Sequence, residues 1–293
     1  MKTTGMIAAV LVCLSHSFAA LTVGASLPDF ASIASYVGGD RVETFSIARS
    51  KSDPHSVEVL PTYMVRVSRA DLYLKVGLGL DQWADQIIEG ARNSKLKIVD
   101  CSAGVSVLEK PTGKVDASMG DVHPDGNPHY WLAPENGVAI AQTIANALSA
   151  LDPDHAELFS ANVEKLRSEI AAKLPSWQEI ADHIPNHEFV SYHSSWSYFA
   201  EAFDLKIAEK IEPVPGIPPT ARHLANLVNV IESEGVKVVV QEPYFSDDGA
   251  KYLARETGVT VLKLAPSCED ADASSYLSHF DQIFSAFETV PAK

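Results

Sequence analysis

The stretch GNPHYW, residues Gly126–Trp131, places a histidine on a rigid turn directly before an apolar segment that begins a helix. The ring of Pro128 fixes its own φ and disfavours the helical region for Asn127. His129 therefore has a defined place in a loop, where its side chain is available to bind a ligand.

Two further histidines have similar positions. His55 ends the sequence Asp53-Pro54-His55, and His193 ends the sequence VSYH at 190–193. Each of the three histidines follows an apolar run, and ligands of parallel α/β sheets bind at the carboxyl ends of the strands. Neutral imidazole is the commonest metal ligand, and three of them suit zinc. A lone histidine after a strand is more often a surface or hydrogen-bonded residue, but three together predict a metal site.

Strands and helices alternate through the first half of the chain. Apolar runs rich in Val, Ile and Phe predict the strands, and the segments between them have helical spacing. This alternation indicates a parallel sheet with right-handed crossovers. The predicted strands are 41–48, 72–76 and 96–100, and the predicted helices are 61–69, 81–93 and 134–151.

A long helix divides the chain into two comparable halves. Asp152 and Pro153 form a typical start, and apolar residues then recur on one face to about residue 183, with a kink expected at Pro175. The alternation resumes after it. The second set of predicted strands is 188–192, 206–211, 236–241 and 259–264, and the second set of helices is 194–203, 220–234, 246–257 and 273–287.

These elements predict an α/β protein of two lobes, each a parallel sheet flanked by helices, with the metal site in the cleft between them. The expected boundaries are a signal peptide at 1–25, a first lobe at 26–152, the connecting helix at 153–184 and a second lobe at 185–293. Small residues before residue 26 suggest the cleavage site, and cleavage after Ala19 is the alternative. The apolar core of the signal is too short to span a bilayer. We expect a monomer exported to the periplasm.

Charge and cysteine usage exclude some classes of protein. The chain carries 23 basic and 38 acidic residues, for a net charge of −15, and has no basic cluster, so it is a poor candidate for nucleic acid. Only Cys101 and Cys268 lie outside the signal segment. They form either one disulfide, which an exported protein permits, or two unpaired thiols in the core.

The chain resembles the periplasmic zinc- and manganese-binding solute-binding proteins of ABC transporters. The resemblance runs nearly end to end and rests on the motifs DPH at 53–55, ADLYLKVG at 70–77, NPHYW at 127–131, YH at 192–193, EPYF at 242–245 and ETGV at 256–259. It implies that His55, His129 and His193 bind one divalent ion, which the protein delivers to a membrane permease. A ligand set of three nitrogens favours Zn²⁺, with Mn²⁺ as the alternative.

The sequence does not decide which group is the fourth ligand of the metal ion. Many members of this family carry a carboxylate ligand in a Leu-Asp-Pro after the last strand, where this chain has Leu264-Ala265-Pro266. Glu242, which ends a strand of the second lobe, is the best protein candidate, and water or His123 are the others. The simpler expectation for His123 is a solvated loop residue. Asp53 is expected to orient a ligand imidazole.

Three other functions deserve comparison. A secreted zinc-dependent hydrolase would also use three histidines, with Glu242 as base, but no other part of a catalytic set is present. A binding protein for a metal chelate or a small organic ligand would line its cleft with Trp131, Tyr192 and Trp196. An adhesin-like surface role has no anchor in the sequence to support it.

Overall fold

The computed structural model describes residues 20–113, 120 and 123–291. Its first lobe is built on a parallel sheet of four short strands, β1 (Leu21–Ala25), β2 (Val42–Ser46), β3 (Leu72–Lys75) and β4 (Lys97–Asp100), in the order β2-β1-β3-β4. Helices cover the sheet, and most residues of its central strands β1 and β3 are buried. The helices are α1 (Pro28–Gly38), α2 (Pro61–Val67), α3 (Trp83–Ala91) and α4 (Pro134–Leu151).

Strand β1 lies in the middle of this sheet, paired with β2 on one side and β3 on the other. Val23, Gly24 and Ala25 are all buried. Removing residues 1–25, the expected boundary, would therefore delete this central strand. Cleavage after Ala19 would leave the strand intact. The signal peptide itself stays a prediction, because residues 1–19 lie outside the described ranges.

The two lobes are connected by the 27-residue helix α5 (Ala156–Asp182), which follows a short 3₁₀ turn at Pro153–His155 and runs past Pro175. This confirms the predicted connecting helix. One apolar face of α5 is buried, formed by Phe159, Val163, Leu166, Ile170 and Trp177. Neither α5 nor any other helix in the described part of the chain combines the length and apolarity needed to cross a membrane.

The second lobe repeats the topology of the first. Its strands are β5 (Glu188–Ser191), β6 (Lys206–Lys210), β7 (Val238–Gln241) and β8 (Thr260–Lys263), all parallel, in the order β6-β5-β7-β8. Its helices are α6 (Ser197–Ala202), α7 (Ala221–Glu234), α8 (Asp248–Thr257) and α9 (Ser275–Phe287). The predicted α/β fold of two lobes is confirmed.

After β8 the chain crosses back to the first lobe. The indole N–H of Trp131 donates to the carbonyl of Pro266 at 2.7 Å, and the hydroxyl of Ser50 donates to the carbonyl of Ser267 at 2.6 Å. The hydroxyl of Tyr276 donates to the carbonyl of Trp131 at 2.8 Å. The lobes are thus tied together twice, by α5 and by the segment 266–276.

Cys101 and Cys268, which follow β4 and β8, are both buried free thiols. The sequence left open a disulfide or two unpaired thiols, and the structure has two unpaired thiols. Burial raises the pKa of the Cys101 thiol well above its usual value. A thiol that stays protonated is a poor nucleophile and a poor metal ligand, so Cys101 acts as a small apolar core residue.

Candidate metal centre

The structure brings together the three histidines that the sequence singled out. One ring nitrogen from each of His55, His129 and His193 lies within 4.8 Å of the other two. The ring centroids are 5.1 to 5.4 Å apart. Two nitrogens bonded to one tetrahedral zinc ion are about 3.4 Å apart, so small adjustments would allow all three to coordinate. The first two belong to the first lobe and His193 to the second, and the site lies between the lobes.

Each imidazole is oriented through its Nδ1 atom. This leaves Nε2 as the nitrogen available to a metal, in the arrangement by which proteins fix the tautomer of a ligand histidine. The partners are Asp53 Oδ1 for His55 at 2.9 Å, Asn127 Oδ1 for His129 at 3.0 Å, and Glu212 Oε2 for His193 at 2.7 Å.

The two histidines of the first lobe are positioned by the same local device. In Asp53-Pro54-His55 and in Asn127-Pro128-His129, the side-chain oxygen of the first residue accepts a hydrogen bond from the backbone N–H of the histidine at 2.9 Å. The same oxygen contacts the ring Nδ1. Proline keeps the preceding residue out of the helical region, and Asp and Asn favour such turns. The contact of Asp53 with His55 is the one that the sequence predicted.

Glu212, the partner of His193, is a residue of the candidate site that sequence reasoning missed. It follows β6, the neighbour of β5 in the sheet, and β5 leads to His193. Its carboxylate is buried and also accepts a hydrogen bond from the backbone N–H of Gly216 at 3.3 Å. The available signal was a carboxylate directly after a predicted strand, which becomes informative only when the strand order is known.

The environment favours the neutral form of His129 and of His193. Burial, and then the neighbouring imidazoles of His55 and His193, hold the pKa of His129 well below its usual value. Burial also lowers the pKa of His193, and the hydrogen bond with Glu212 opposes that shift. Nε2 of His55 and of His129 is buried with no hydrogen-bond partner among the described residues. Neutral rings with free lone pairs suit a divalent cation.

Glu242, the predicted fourth protein ligand, is fully buried at the end of β7. Its Oε1 accepts a hydrogen bond from the indole N–H of Trp196 at 3.1 Å, and burial raises the pKa of its carboxyl to about 7. Glu242 is not part of the group of ligand atoms that lie within 4.8 Å of one another. Its coordination of a metal therefore stays a prediction.

A cavity of about 540 Å³ opens beside the histidines. His123, His129 and His193 line it, together with Glu109 and Lys210 from opposite lobes. The ring of His123 stacks on that of His55, with centroids 5.3 Å apart and planes at 26°. His123 is half-buried and not the solvated loop residue that the simpler expectation described.

The aromatic residues that would line an organic-ligand cleft do not line the cavity beside the histidines. Trp131, Tyr192 and Trp196 are all buried, and none is among the residues that line the described cavity. Trp131 ties the lobes together through Pro266, and Trp196 bonds Glu242. The geometry therefore gives the organic-ligand alternative no support.

Comparison with known proteins identifies the family. The model of the family described as "zinc-uptake complex component A periplasmic" matches residues 23–290. The chain belongs to this family. Members are solute-binding proteins, periplasmic or lipid-anchored, that bind metal ions and work with ABC-transporter permeases. They are not enzymes, which excludes the hydrolase alternative.

Individual relatives differ in the metal that they are named for. The chain is 28% identical over 232 residues to the iron-binding protein YfeA of Yersinia pestis, covering 77% of this chain and 70% of that protein. It is 26% identical over 252 residues to the manganese transporter lipoprotein PsaA of Streptococcus pneumoniae, covering 82% and 78%. A zinc-bound deletion mutant of ZnuA matches with a TM-score of 0.78 at 28% identity, covering 93% of this chain and 100% of that one.

Proposed function

We propose that this protein captures one zinc ion in the periplasm, with His55, His129 and His193 as ligands, and delivers it to an ABC-transporter permease. The observation that carries the proposal is the convergence of three imidazoles from two lobes, each oriented through Nδ1. A ligand set of three nitrogens suits zinc, whereas manganese prefers more oxygen donors.

The zinc assignment rests on the donor atoms because the relatives are named for iron, manganese and zinc. Manganese would require additional oxygen ligands, and Glu242 is the candidate that the sequence favours. Its engagement with Trp196 and its place outside the three-histidine group argue for zinc. Copper and nickel would also bind three imidazoles in vitro, so availability in the cell contributes to the choice.

A competition titration tests the metal. Metal-free protein is titrated with Zn²⁺ and with Mn²⁺ against a chromophoric chelator, and the Glu242→Gln variant is measured in parallel. Because almost any nitrogen and oxygen site binds Zn²⁺ more tightly than Mn²⁺, the deciding results are the variant and the metal bound in the cell. We expect the Zn²⁺ affinity to change little in Glu242→Gln, and the protein isolated from the periplasm of cells supplied with both metals to contain zinc. Tighter binding of Mn²⁺, abolished in Glu242→Gln, would instead establish the manganese alternative.

We further propose that residues 1–19 are removed on export and that the mature protein is a monomer. The family match beginning at residue 23 and the central place of β1 support a start before residue 21. N-terminal sequencing of the exported protein should begin at Ala20, and size-exclusion chromatography with light scattering should give the mass of one chain. A start at Ser26 would contradict the boundary, and a dimer mass would contradict the monomer.

A further inference from the structure

The three-histidine site leaves one coordination position to be filled, since structural and transport sites for zinc are most often tetrahedral. Glu242 has Oε1 bonded to Trp196 and Oε2 buried without a partner among the described residues, but unlike His123 it does not line the cavity beside the histidines. The cavity wall carries His129 and His193 and one imidazole from outside the group of three, that of His123.

His123 has the features of an unused ligand. Its Nε2 is buried without a hydrogen-bond partner among the described residues, the same condition as Nε2 of His55 and of His129. Its ring stacks on His55, and it lines the same cavity as His129 and His193. Buried ring nitrogens are normally hydrogen-bonded, so a polar atom left in this state requires an explanation.

The backbone holds His123 close to the site. The N–H of Gly126 donates to the carbonyl of His123 at 3.1 Å, which closes a tight turn, and Gly126 has a φ of 106° that favours glycine. The next residue, Asn127, is fixed by its N–H to the carbonyl of Leu108 at 2.9 Å and orients His129. His123 is thus joined by one hydrogen-bonded turn to the residue that orients His129.

We propose that His123 is the fourth protein ligand of the bound ion and coordinates it through Nε2. This inference rests on the proposed three-histidine site. His123 stands outside the group of nitrogens within 4.8 Å, so loading requires its ring to leave the stack on His55 and rotate into the cavity. A fourth nitrogen donor increases the preference for zinc over manganese.

The test combines a Zn²⁺ competition titration with X-ray absorption of the zinc-loaded full-length exported protein. We compare wild type with His123→Ala and His123→Gln, and use His183→Ala, at an exposed position after α5, as the matched control. We expect four nitrogen ligands in wild type and in the control. Both His123 variants should have one imidazole fewer bound to zinc. Their zinc affinity should fall more than about tenfold, since even residues that only orient a metal ligand contribute that much.

Unchanged zinc affinity in both His123 variants, with three imidazoles in wild type, would overturn the role of His123 and leave the three-histidine site standing. A wild-type protein that binds no divalent ion would overturn the proposed function together with this inference. Melting temperatures of the metal-free proteins show whether each variant folds, and the two substitutions of different size separate loss of a ligand from a packing defect.

Discussion

Oδ1 of Asn127 lies 3.0 Å from Nδ1 of His129, and the same carboxamide donates from Nδ2 to the carbonyl of Ser194 at 2.8 Å. Ser194 directly follows His193 in the second lobe. The side chain of Asn127 thus orients His129 and also joins the first lobe to Ser194, the residue next to His193. Nδ2 also donates to Glu109 Oε2 at 2.8 Å.

Asn127→Ala should weaken zinc binding by roughly 10- to 100-fold, the range for partners that orient metal ligands. The His129 ring loses its orientation, and the lobes lose a buried hydrogen bond across the cleft. A competition titration with Zn²⁺ measures the loss, and Asn146→Ala, at an exposed position on α4, is the control. Equal affinity in Asn127→Ala and Asn146→Ala would show that the carboxamide does not position the site.

Glu212 should act on zinc affinity through His193. Its carboxylate holds Nδ1 of that ring at 2.7 Å in a buried environment. Glu212→Ala should reduce zinc affinity about 10- to 100-fold, whereas Glu212→Gln should retain most of it because an amide oxygen still accepts the ring N–H. A larger loss of zinc affinity in Glu212→Gln than in Glu212→Ala would contradict the orienting role of Glu212. Titration calorimetry with Zn²⁺ gives both values.

The metal-free protein should lose stability as the pH falls below about 6.5. Burial lowers the pKa of His279, in α9, to about 4. Since the unfolded chain keeps the ordinary histidine pKa, it binds more protons than the folded state between these values, and acid favours unfolding by up to about 1.4 kcal/mol per pH unit for this group.

Urea unfolding at pH 7.5 and 5.5 in the presence of a chelator measures this dependence. His279→Gln should show a smaller difference between the two pH values than wild type, whatever its stability at pH 7.5. Burial also lowers the pKa of His129 and His193, so part of the dependence should persist in the variant. An identical pH difference in variant and wild type would contradict the contribution of His279.

Zinc loading should change the overall shape of the protein very little. Helix α5 spans both lobes, and the segment 266–276 is hydrogen-bonded to the first lobe through Trp131 and Ser50. Domain closure is limited when a hinge is crossed by two packed connections. Small-angle X-ray scattering of metal-free and zinc-loaded protein should give nearly the same radius of gyration. A large decrease on loading would contradict this rigidity.

Local chemistry made most of the fold and the three histidines predictable. The alternation of apolar runs with helical spacing located strands β2 to β8, and the Asp-Pro-His and Asn-Pro-His sequences carry their orienting oxygen within two residues of the ring. Strand β1 was missed because Val23, Gly24 and Ala25 lie beside the predicted signal peptide, where the same composition indicates a cleavage site.

The parts of the site that depend on tertiary structure could not be predicted from the sequence. Glu212 lies 19 residues from His193 and meets it only because β6 pairs with β5. The burial of Glu242 behind Trp196 and the stacking of His123 on His55 follow from packing between elements, which periodicity does not describe. Strand order and side-chain packing are the information that one sequence lacks.

The most direct test of the central claim is the metal content of the purified protein after saturation with Zn²⁺ and removal of excess, for wild type and His129→Ala. Elemental analysis should give one zinc per chain in wild type and little or none in the variant, while both melt cooperatively. Absence of stoichiometric zinc in wild type, or full retention in His129→Ala, would contradict a zinc site built on these three histidines.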